Sequence, residues 1–368
     1  MSERTRPELS ILIPTRGRPD KLRACIGGLV SQDAPPGTFE ILIGVDGPTS
    51  GEAEAVDEAI GLRASSHTLP RVACRVFELP HAGPAATRNA LLAHARGGHL
   101  LLLNDDVIPD PACVRTHLET QRELIASGRT AMVLGAAPWK IHEPDRLFDR
   151  MIRETSMVFF YDQMTGPAAA DPGHDWGFRH AWTLNLSMPT GALRDAGGFD
   201  ASFPSACYED IECAWRICRR FRAPVLYRPG AVVVHDHRYE PLDYLARELR
   251  LGYDAHLLAH CAAECAMEIF RRDVASTEEI ARCAAEVERD APHARGLARS
   301  FLALADAPAG LVRERSTPTS GVGAVYQHHL PLKRWLWKVG LLSAAEERPF
   351  ETLDAGELLG IRRVTMAA

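Results

Sequence analysis

The first part of the chain alternates short apolar runs with amphipathic stretches, and this alternation constrains the fold more than any other feature. The apolar runs, each of strand length, lie at Leu9–Ile13, Glu40–Val45, Val72–Leu79, His99–Leu103 and Thr130–Ala136. Helical stretches begin near Pro19 and cover Gly83–Ala95 and Ala112–Ser127. Strands that alternate with helices form a mainly parallel sheet with helices on both faces. The sequence therefore predicts an α/β fold.

This regular pattern weakens in the middle of the chain. Residues 147–180 carry the turn signals of a long irregular region, of the kind that often forms a lid or a binding loop. Regular elements then return, with a helix predicted at about Glu209–Phe221 and strands at Val225–Tyr227 and Ala231–Val234.

The character of the sequence changes again near residue 240. Alanine and leucine recur at helical spacing over Leu242–Phe270 and Thr277–Ala305. Glycines and prolines at about 307–323 predict a loop or linker. We therefore predict an α/β domain over residues 1–240 and a helical C-terminal region over residues 241–368.

Composition excludes several classes of protein. The 368 residues are enough for about two domains, and 46% hydrophobic with 24% charged residues excludes fibrous and wholly disordered chains. A net charge of −6 without a basic block argues against nucleic acid as a partner. Nine cysteines without a C-x-x-C pair indicate reduced thiols. With a polar N-terminus and no run of about 18 apolar residues, the sequence predicts a cytoplasmic protein.

The strongest chemical signal follows the fourth predicted strand. The run of leucines at residues 100–103 ends abruptly in Asn104, Asp105 and Asp106. The carboxyl edge of an open α/β sheet is where ligands bind, and carboxylate and amide oxygens suit Mg²⁺ or Mn²⁺ held jointly with substrate phosphates. The alternative is a polar turn that caps the next helix, and these residues alone leave both interpretations open.

Two further polar segments lie downstream. Glu209 and Asp210 begin a predicted helix, where acidic residues either complement the helix dipole or supply a general base. His235 follows the last predicted strand, within the segment His235-Asp236-His237. A histidine at the end of a buried strand is either a metal ligand or a satisfied polar group of the core, and taken alone His235 favours the second interpretation.

Taken together and in order, these segments resemble the family 2 glycosyltransferases with the GT-A fold, a Rossmann-like, mainly parallel sheet flanked by helices. The resemblance covers roughly residues 8–240. On the donor side it implies that Asp46 recognises the nucleotide base. The residues that it assigns to the donor-binding loop and to the helix lining the nucleotide-sugar site are Pro14, Thr15, Arg16, Gly83, Arg88 and Asn89.

The resemblance also implies roles for the polar segments. Asn104-Asp105-Asp106 stands in place of the D-x-D metal motif, with asparagine replacing the first aspartate. Asp106, with His235 and Asn104, is expected to hold the ion, and Asp105 to contact the ribose or the donor sugar. Trp182 and Asn185 belong to the acceptor-side segment. Asp210 matches the catalytic base, and Glu209 is expected to orient the acceptor or that aspartate.

The implied reaction is an inverting, metal-dependent transfer of a hexosyl or deoxyhexosyl group from a nucleoside diphosphate sugar to an acceptor hydroxyl. The acceptor is a glycan, a lipid-linked compound or a small molecule. Double displacement needs a second carboxylate as nucleophile, and no independent candidate is present. A sugar nucleotidyltransferase is one alternative, although Pro14–Arg18 matches its glycine-rich loop only in part. A non-catalytic nucleotide-sugar-binding protein is the other.

The C-terminal region leaves its partners open. The stretch Leu332–Val339 combines aromatic and basic residues, which suits the interface of a membrane that carries lipid-linked acceptors. It also suits docking on the protein's own surface, and we favour docking. Peripheral contact with the inner face of the membrane and a homodimer built on the helices at 242–270 are the other expectations.

Overall fold

The computed structural model describes residues 6–35, 37–48, 50–64, 72–312 and 321–361. The chain forms two compact units. The first consists of Met1–Lys140 and Met164–His237, and the second of Ile141–Gln163 and Arg238–Ala368. The predicted domain boundary near residue 240 stays a prediction, and the contacts additionally assign residues 141–163 to the second unit.

The first unit is built on a mixed sheet. Its strands are β1 (Leu9–Thr15), β2 (Phe39–Asp46), β3 (Ala73–Leu79), β4 (His99–Leu103), β5 (Val107–Pro109), β6 (Met132–Ala136), β7 (Asn185–Pro189) and β8 (Val225–His235), in the spatial order β3-β2-β1-β4-β7-β6-β8-β5. β1 pairs in parallel with β2 and β4, β2 with β3, and β6 with β8. β7 runs antiparallel to β4 and β6, and β5 to β8. The predicted α/β sheet, parallel in most of its pairings, is confirmed.

Helices complete both units. In chain order they are α1 (Pro19–Leu29), α2 (Glu52–Ala64), α3 (Gly83–His94), α4 (Cys113–Ala126), α5 (Leu147–Glu154), α6 (Gly166–Ala170), α7 (Thr190–Asp195), α8 (Glu209–Phe221), α9 (Pro241–Cys261), α10 (Ala263–Phe270), α11 (Thr277–Ala305), α12 (Gly321–Ala345) and α13 (Ala355–Leu358). α1 shows why they form. Pro19 supplies a first-turn φ, and Leu22, Ile26 and Leu29 bury one face.

Three local expectations need correction. Residues 147–180 are not irregular throughout, because α5 buries Leu147, Phe148, Met151 and Ile152. The strands predicted at 225–227 and 231–234 are one strand, β8, whose pairing with β6 shifts register at Gly135/Ala136. The loop predicted at 307–323 ends earlier, since α12 begins at Gly321, and residues 313–320 lie outside the described residues.

Two glycines let α9 and α12 pack backbone to backbone in the second unit. A Cβ atom on Gly252 would lie 1.8 Å from the Trp337 carbonyl oxygen, and one on Gly340 would lie 2.0 Å from that of Leu249. The stretch 332–339 belongs to this packing, because Trp335 is buried and its Nε1 donates to the Val287 carbonyl at 3.0 Å. Docking within the protein thus accounts for its apolar residues.

Within the described ranges, no helix is long and apolar enough to cross a membrane.

Strand directions bring the polar segments of the first unit to one sheet edge. β1, β2 and β4 are parallel, so their carboxyl ends at Thr15, Asp46 and Leu103 share that edge. β7 runs the other way, and it begins there with Asn185 opposite Leu103. β8 has the direction of β4, which places His235 at the same edge. Ligand sites of open α/β sheets form at such an edge.

Candidate active site

Two buried carboxylates follow β4 and share one arginine. Asp105 and Asp106 are 0% and 5% exposed. Arg18, just after β1, donates from Nε to Asp105 Oδ2 at 3.1 Å and from Nη1 to Asp106 Oδ2 at 2.8 Å, and its Nη2 donates to Asp105 Oδ1. Thr15 Oγ1 also donates to Asp105 Oδ2, at 2.7 Å. A single guanidinium therefore holds both carboxylates.

Two histidines after β8 approach Asp106 from another side. His237 Nδ1 lies 3.2 Å from Asp106 Oδ2, and His235 Nε2 lies 3.6 Å from Oδ1. Trp139 packs on the His235 ring with centroids 4.2 Å apart, and the Asp236 amide donates to the Asp106 carbonyl at 2.7 Å. These contacts fix the position of Asp106 relative to the end of β8.

The two carboxylates differ in acidity. Burial raises the pKa of Asp105 to about 6, against the opposing effect of the Arg18 charge and with the Asp106 charge adding to the rise. Burial also disfavours ionisation of Asp106, but the rings of His235 and His237 and the Arg18 charge outweigh it and hold the pKa of Asp106 well below its usual range. Asp106 is therefore the permanently ionised member of the pair.

The fit of a divalent cation depends on Asp106. Among the described residues, no group of three or more His, Cys, Asp or Glu side chains forms a preassembled metal cage. Mg²⁺ does not require one, because it commonly binds one or two carboxylates together with substrate phosphates. Asp106 Oδ1 is buried and accepts no hydrogen bond from the described residues. The donor set fits such a cation through Asp106, with imidazole nitrogen nearby.

Arg88 connects this pair to the start of α8. It is 2% exposed, and its Nη1 donates to Glu209 Oε1 at 3.1 Å while its Nη2 donates to Asn104 Oδ1 at 3.2 Å. Its guanidinium also lies 5.5 Å from the centre of the Phe199 ring. Arg88 is a buried bridge between the two acidic segments, and the amide oxygen of Asn104 accepts one of its hydrogen bonds. Their expected roles at the donor and at the cation stay predictions.

Glu209 and Asp210 occupy different environments at the start of α8. Glu209 is buried, binds Arg88 and accepts the Cys207 amide at 2.8 Å. Asp210 is partly exposed, and its Oδ1 accepts the Ile211 amide at 2.8 Å. Burial and the neighbouring Glu209 charge raise the pKa of Asp210 to about 7, although the Arg88 charge opposes the rise. A carboxylate tuned to this range can both accept and release a proton near neutral pH.

On the donor side, Asp46 closes the start of α3. Its Oδ1 accepts the Ala82 amide at 2.7 Å, and its Oδ2 accepts the Gly83 amide at 3.2 Å. His81 Nδ1 lies 2.9 Å from Asp46 Oδ2, and His81 Nε2 lies 2.9 Å from Arg16 Nη1. A carboxylate only accepts and an arginine only donates, so His81 carries its proton on Nδ1. These contacts tie Arg16 to Asp46 across the predicted donor-binding loop.

The segment before α8 is clamped to α3. Asn89 Nδ2 donates to the Phe199 carbonyl at 2.8 Å, and Asn89 Oδ1 accepts the Phe199 amide at 2.9 Å. Gly83 has φ +87°, and a Cβ atom there would lie 2.6 Å from the Pro204 carbonyl oxygen. Gly83 and Asn89, predicted to line the nucleotide-sugar site, therefore position the segment that leads to Glu209.

Both residues predicted on the acceptor side, Trp182 and Asn185, are buried. Asn185 is 0% exposed. Its Nδ2 donates to the carbonyls of Ala136 at 3.1 Å and Ala231 at 2.8 Å, and its Oδ1 lies 3.0 Å from His117 Nε2. Since its amide is used inside the sheet, we leave Asn185 out of the acceptor site. Trp182 is also buried, with its ring centroid 5.4 Å from that of His180.

Sequence reasoning missed two residues that touch the carboxylates. Arg18 was read only as part of the loop after β1, and His237 only as a neighbour of His235. Both left a signal. Arg18 is the second arginine in the three-residue loop between β1 and α1. His237 is two residues from His235, the spacing that places extended residues on one face.

The chain is similar to known glycosyltransferases. Residues 10–180 match the family model described as Glycosyl transferase family 2. The pre-mycofactocin glycosyltransferase of Mycobacterium tuberculosis is 26% identical over 258 residues, which cover 68% of this chain and 47% of that protein. The validoxylamine A glucosyltransferase of Streptomyces hygroscopicus is 27% identical over 235 residues, 57% of this chain and 48% of that protein. The chain thus spans about half the length of the curated relatives that it matches.

A solved structure shows the fold. The mannosyltransferase PcManGT from Pyrobaculum calidifontis, in complex with GDP-Man and Mn²⁺, superposes with a TM-score of 0.54 and 18% identity over 95% of this chain and 89% of that chain. The chain therefore has the GT-A fold. The match over residues 10–180 and the similarity to glycosyltransferases support a family 2 glycosyltransferase.

Proposed function

We propose that this protein transfers a sugar from a nucleoside diphosphate donor to an acceptor hydroxyl, with inversion at the anomeric carbon and with a divalent cation. The observation that carries the proposal is Asp210, whose pKa is raised to about 7 at the carboxylate cluster joined by Arg88. A general base works best when its pKa lies near the working pH. The match of residues 10–180 to glycosyltransferase family 2 supports the choice of a sugar nucleotide as donor.

In the proposed reaction, Asp210 removes the proton of the acceptor hydroxyl as the hydroxyl oxygen attacks the anomeric carbon. The bond between that carbon and the diphosphate oxygen breaks, and its electron pair leaves with the nucleoside diphosphate. Attack from the face opposite the leaving group inverts the configuration. Glu209, held by Arg88 and the Cys207 amide, keeps a fixed negative charge beside Asp210 and so favours its protonated form after the transfer.

Asp106 is the residue that would hold the cation, with His235 and His237 beside it. When bound, a divalent cation neutralises the charge that develops on the departing diphosphate. Two lysines of the protein add positive charge near the proposed cation. Lys21 Nζ and Lys140 Nζ lie 2.9 Å and 3.0 Å from the carboxylate of Asp236, whose amide donates to the Asp106 carbonyl. Asp105 is proposed to contact the donor after Arg18 has released it.

The first experiment identifies the donor. Thermal unfolding is followed with UDP-, GDP- and dTDP-sugars, each with and without Mn²⁺ or Mg²⁺, because a ligand that binds the folded state raises its melting temperature. Asp106→Asn should abolish a metal-dependent shift. If no sugar nucleotide shifts the melting temperature of the wild type, the proposal fails.

The second experiment identifies the reaction. With the donor in hand, candidate acceptors are screened for release of nucleoside diphosphate, and the anomeric configuration of the product is read by NMR. Release of nucleoside diphosphate with an inverted product is expected. Consumption of a sugar phosphate and nucleoside triphosphate with release of pyrophosphate would indicate a nucleotidyltransferase, and a retained configuration would overturn the inverting route.

A further inference from the structure

The arginine on the buried aspartate pair leaves little room for a metal ion. Arg18 donates to both oxygens of Asp105 and to Oδ2 of Asp106, which accounts for three of the four carboxylate oxygens. The fourth, Asp106 Oδ1, is buried and accepts no hydrogen bond from the described residues. A cation that takes any oxygen of this pair besides Asp106 Oδ1 must therefore displace the guanidinium.

Arg18 is built to leave this position without moving the backbone. The preceding Gly17, with φ +63°, is held by its amide, which donates to Glu52 Oε1 at 2.7 Å. The Arg18 side chain itself is 43% exposed, while the two carboxylates that it binds are almost fully buried. The hydrogen bond that holds the loop is made by Gly17, not by Arg18. The Arg18 side chain can therefore turn to solvent or to an incoming anion while the loop backbone stays in place.

We propose that Arg18 is an internal competitor of the divalent cation at the Asp105–Asp106 pair. The inference rests on the proposed function only in expecting a divalent cation at this place. A guanidinium pairs with phosphate as readily as with carboxylate, so a bound diphosphate draws Arg18 away and opens the pair to the ion. Metal binding is then weak until the donor arrives, which ties the assembly of the cation site to the presence of the donor.

The test measures binding of Mn²⁺ alone, by the EPR signal of the free ion. Arg18→Gln is expected to bind Mn²⁺ about 10- to 100-fold more tightly than the wild type, the range by which groups around a metal ligand tune affinity. Arg23→Gln is the matched control. It removes the same charge from α1, but Arg23 pairs with Asp20 and Glu58, so its affinity should stay within about twofold of the wild type.

Two further variants keep the test decisive. Asp106→Asn in the Arg18→Gln background should abolish the gained affinity, which assigns the ion to this pair. If Arg18→Gln does not fold by circular dichroism, Arg18→Lys replaces it, with a smaller gain expected because an ammonium cannot span both carboxylates.

Unchanged or weaker Mn²⁺ binding on removal of Arg18 would overturn the inference, and so would an equal gain in Arg23→Gln. The proposed transfer is judged separately, by turnover in the presence of EDTA. Failure of the competition and failure of the catalytic proposal are thus distinguishable.

Discussion

Two pairs of adjacent carboxylates belong to the candidate site of the first unit, and comparing them shows how one residue type acquires two roles. Asp105–Asp106 and Glu209–Asp210 both lie at the carboxyl edge of the sheet, and each is served by one arginine. Arg18 binds both members of its pair, whereas Arg88 binds Glu209 and then Asn104. The pKa of Asp106 is held well below its usual range, but that of Asp210 rises to about 7.

The difference lies in where the donors point rather than in the carboxylates themselves. Asp106 receives a guanidinium and two imidazoles, all of which favour its charge. Asp210 is next to the negative charge of Glu209, and Arg88 donates its hydrogen bond to Glu209 rather than to Asp210. When the surroundings lower the pKa of one carboxylate and raise that of another, the first suits an ion ligand and the second suits a general acid or base. The predictions below test this division.

The largest expected effect is on turnover. Asp210→Asn should lower kcat by about 10²- to 10⁴-fold, the usual contribution of a general base, while leaving the affinity for the nucleotide donor unchanged. Asp195→Asn, an exposed change on α7, serves as the control. Steady-state kinetics and calorimetry of donor binding separate the two effects. Turnover of Asp210→Asn equal to the wild type would remove Asp210 as the base and end the comparison.

The next effect is on stability. Arg88→Met leaves the buried Glu209 carboxylate without its cation, and breaking such a pair costs about 3–5 kcal/mol in the free energy of unfolding. Denaturant unfolding measures it. Arg23→Met is the matched control, because that arginine sits in exposed ion pairs whose loss should change the free energy of unfolding far less.

A second substitution tests the cause of that loss. Adding Glu209→Gln to Arg88→Met should recover part of the stability, since the uncompensated charge is then gone. If the double variant is no more stable than Arg88→Met, packing of Arg88 rather than its charge holds the two segments together.

Local patterns predicted the parts of the fold that they determine. α8 and α11 have the predicted bounds of Glu209–Phe221 and Thr277–Ala305. These bounds could be predicted because the start, the end and the apolar spacing of a helix depend on residues close together in the sequence. α2 was missed, since its alanines and charges show almost no preference for one face. The antiparallel direction of β7 was also beyond local pattern, because strand direction depends on how distant segments pair.

The site divides in the same way. The sequence showed which carboxylates end strands or begin helices, but not which donors reach them. Arg88 and Glu209 are 121 residues apart, and Arg18 and Asp105 are 87 apart. Asn185 shows the same limit. The family resemblance assigned it to the acceptor side, whereas in the structure its amide bonds the carbonyls of neighbouring strands in the core.

A moderate effect is expected on the pH profile. Asp210 must be ionised to accept a proton, and its pKa is about 7, so kcat should fall about tenfold for each pH unit below that value. Initial rates at saturating donor and acceptor between about pH 5 and pH 9 measure the profile. A flat profile across neutral pH would show that Asp210 titrates near the ordinary value of a carboxylate, which would remove the contrast between the two pairs.

The smallest effect is on the pH dependence of stability. The pKa of Asp210 is about 7 in the folded protein, against an ordinary value of 3.8, so between these values the folded state holds a proton that the unfolded state has released. The free energy of unfolding therefore falls as pH rises through this window, and the stabilisation by that proton is lost above about pH 7. Asp210→Asn removes this titration and leaves the others in place.

The stability of Asp210→Asn relative to the wild type should consequently increase by about 1–2 kcal/mol from about pH 5 to pH 8, after allowance for the partial exposure of the side chain. Denaturant unfolding of both proteins at each pH gives the difference, with Asp195→Asn as the control whose difference should not change. A constant difference for Asp210→Asn would mean that the folded protein does not raise this pKa. The same variant that loses turnover should thus gain stability, because the charge that catalysis needs is the charge that burial and Glu209 disfavour.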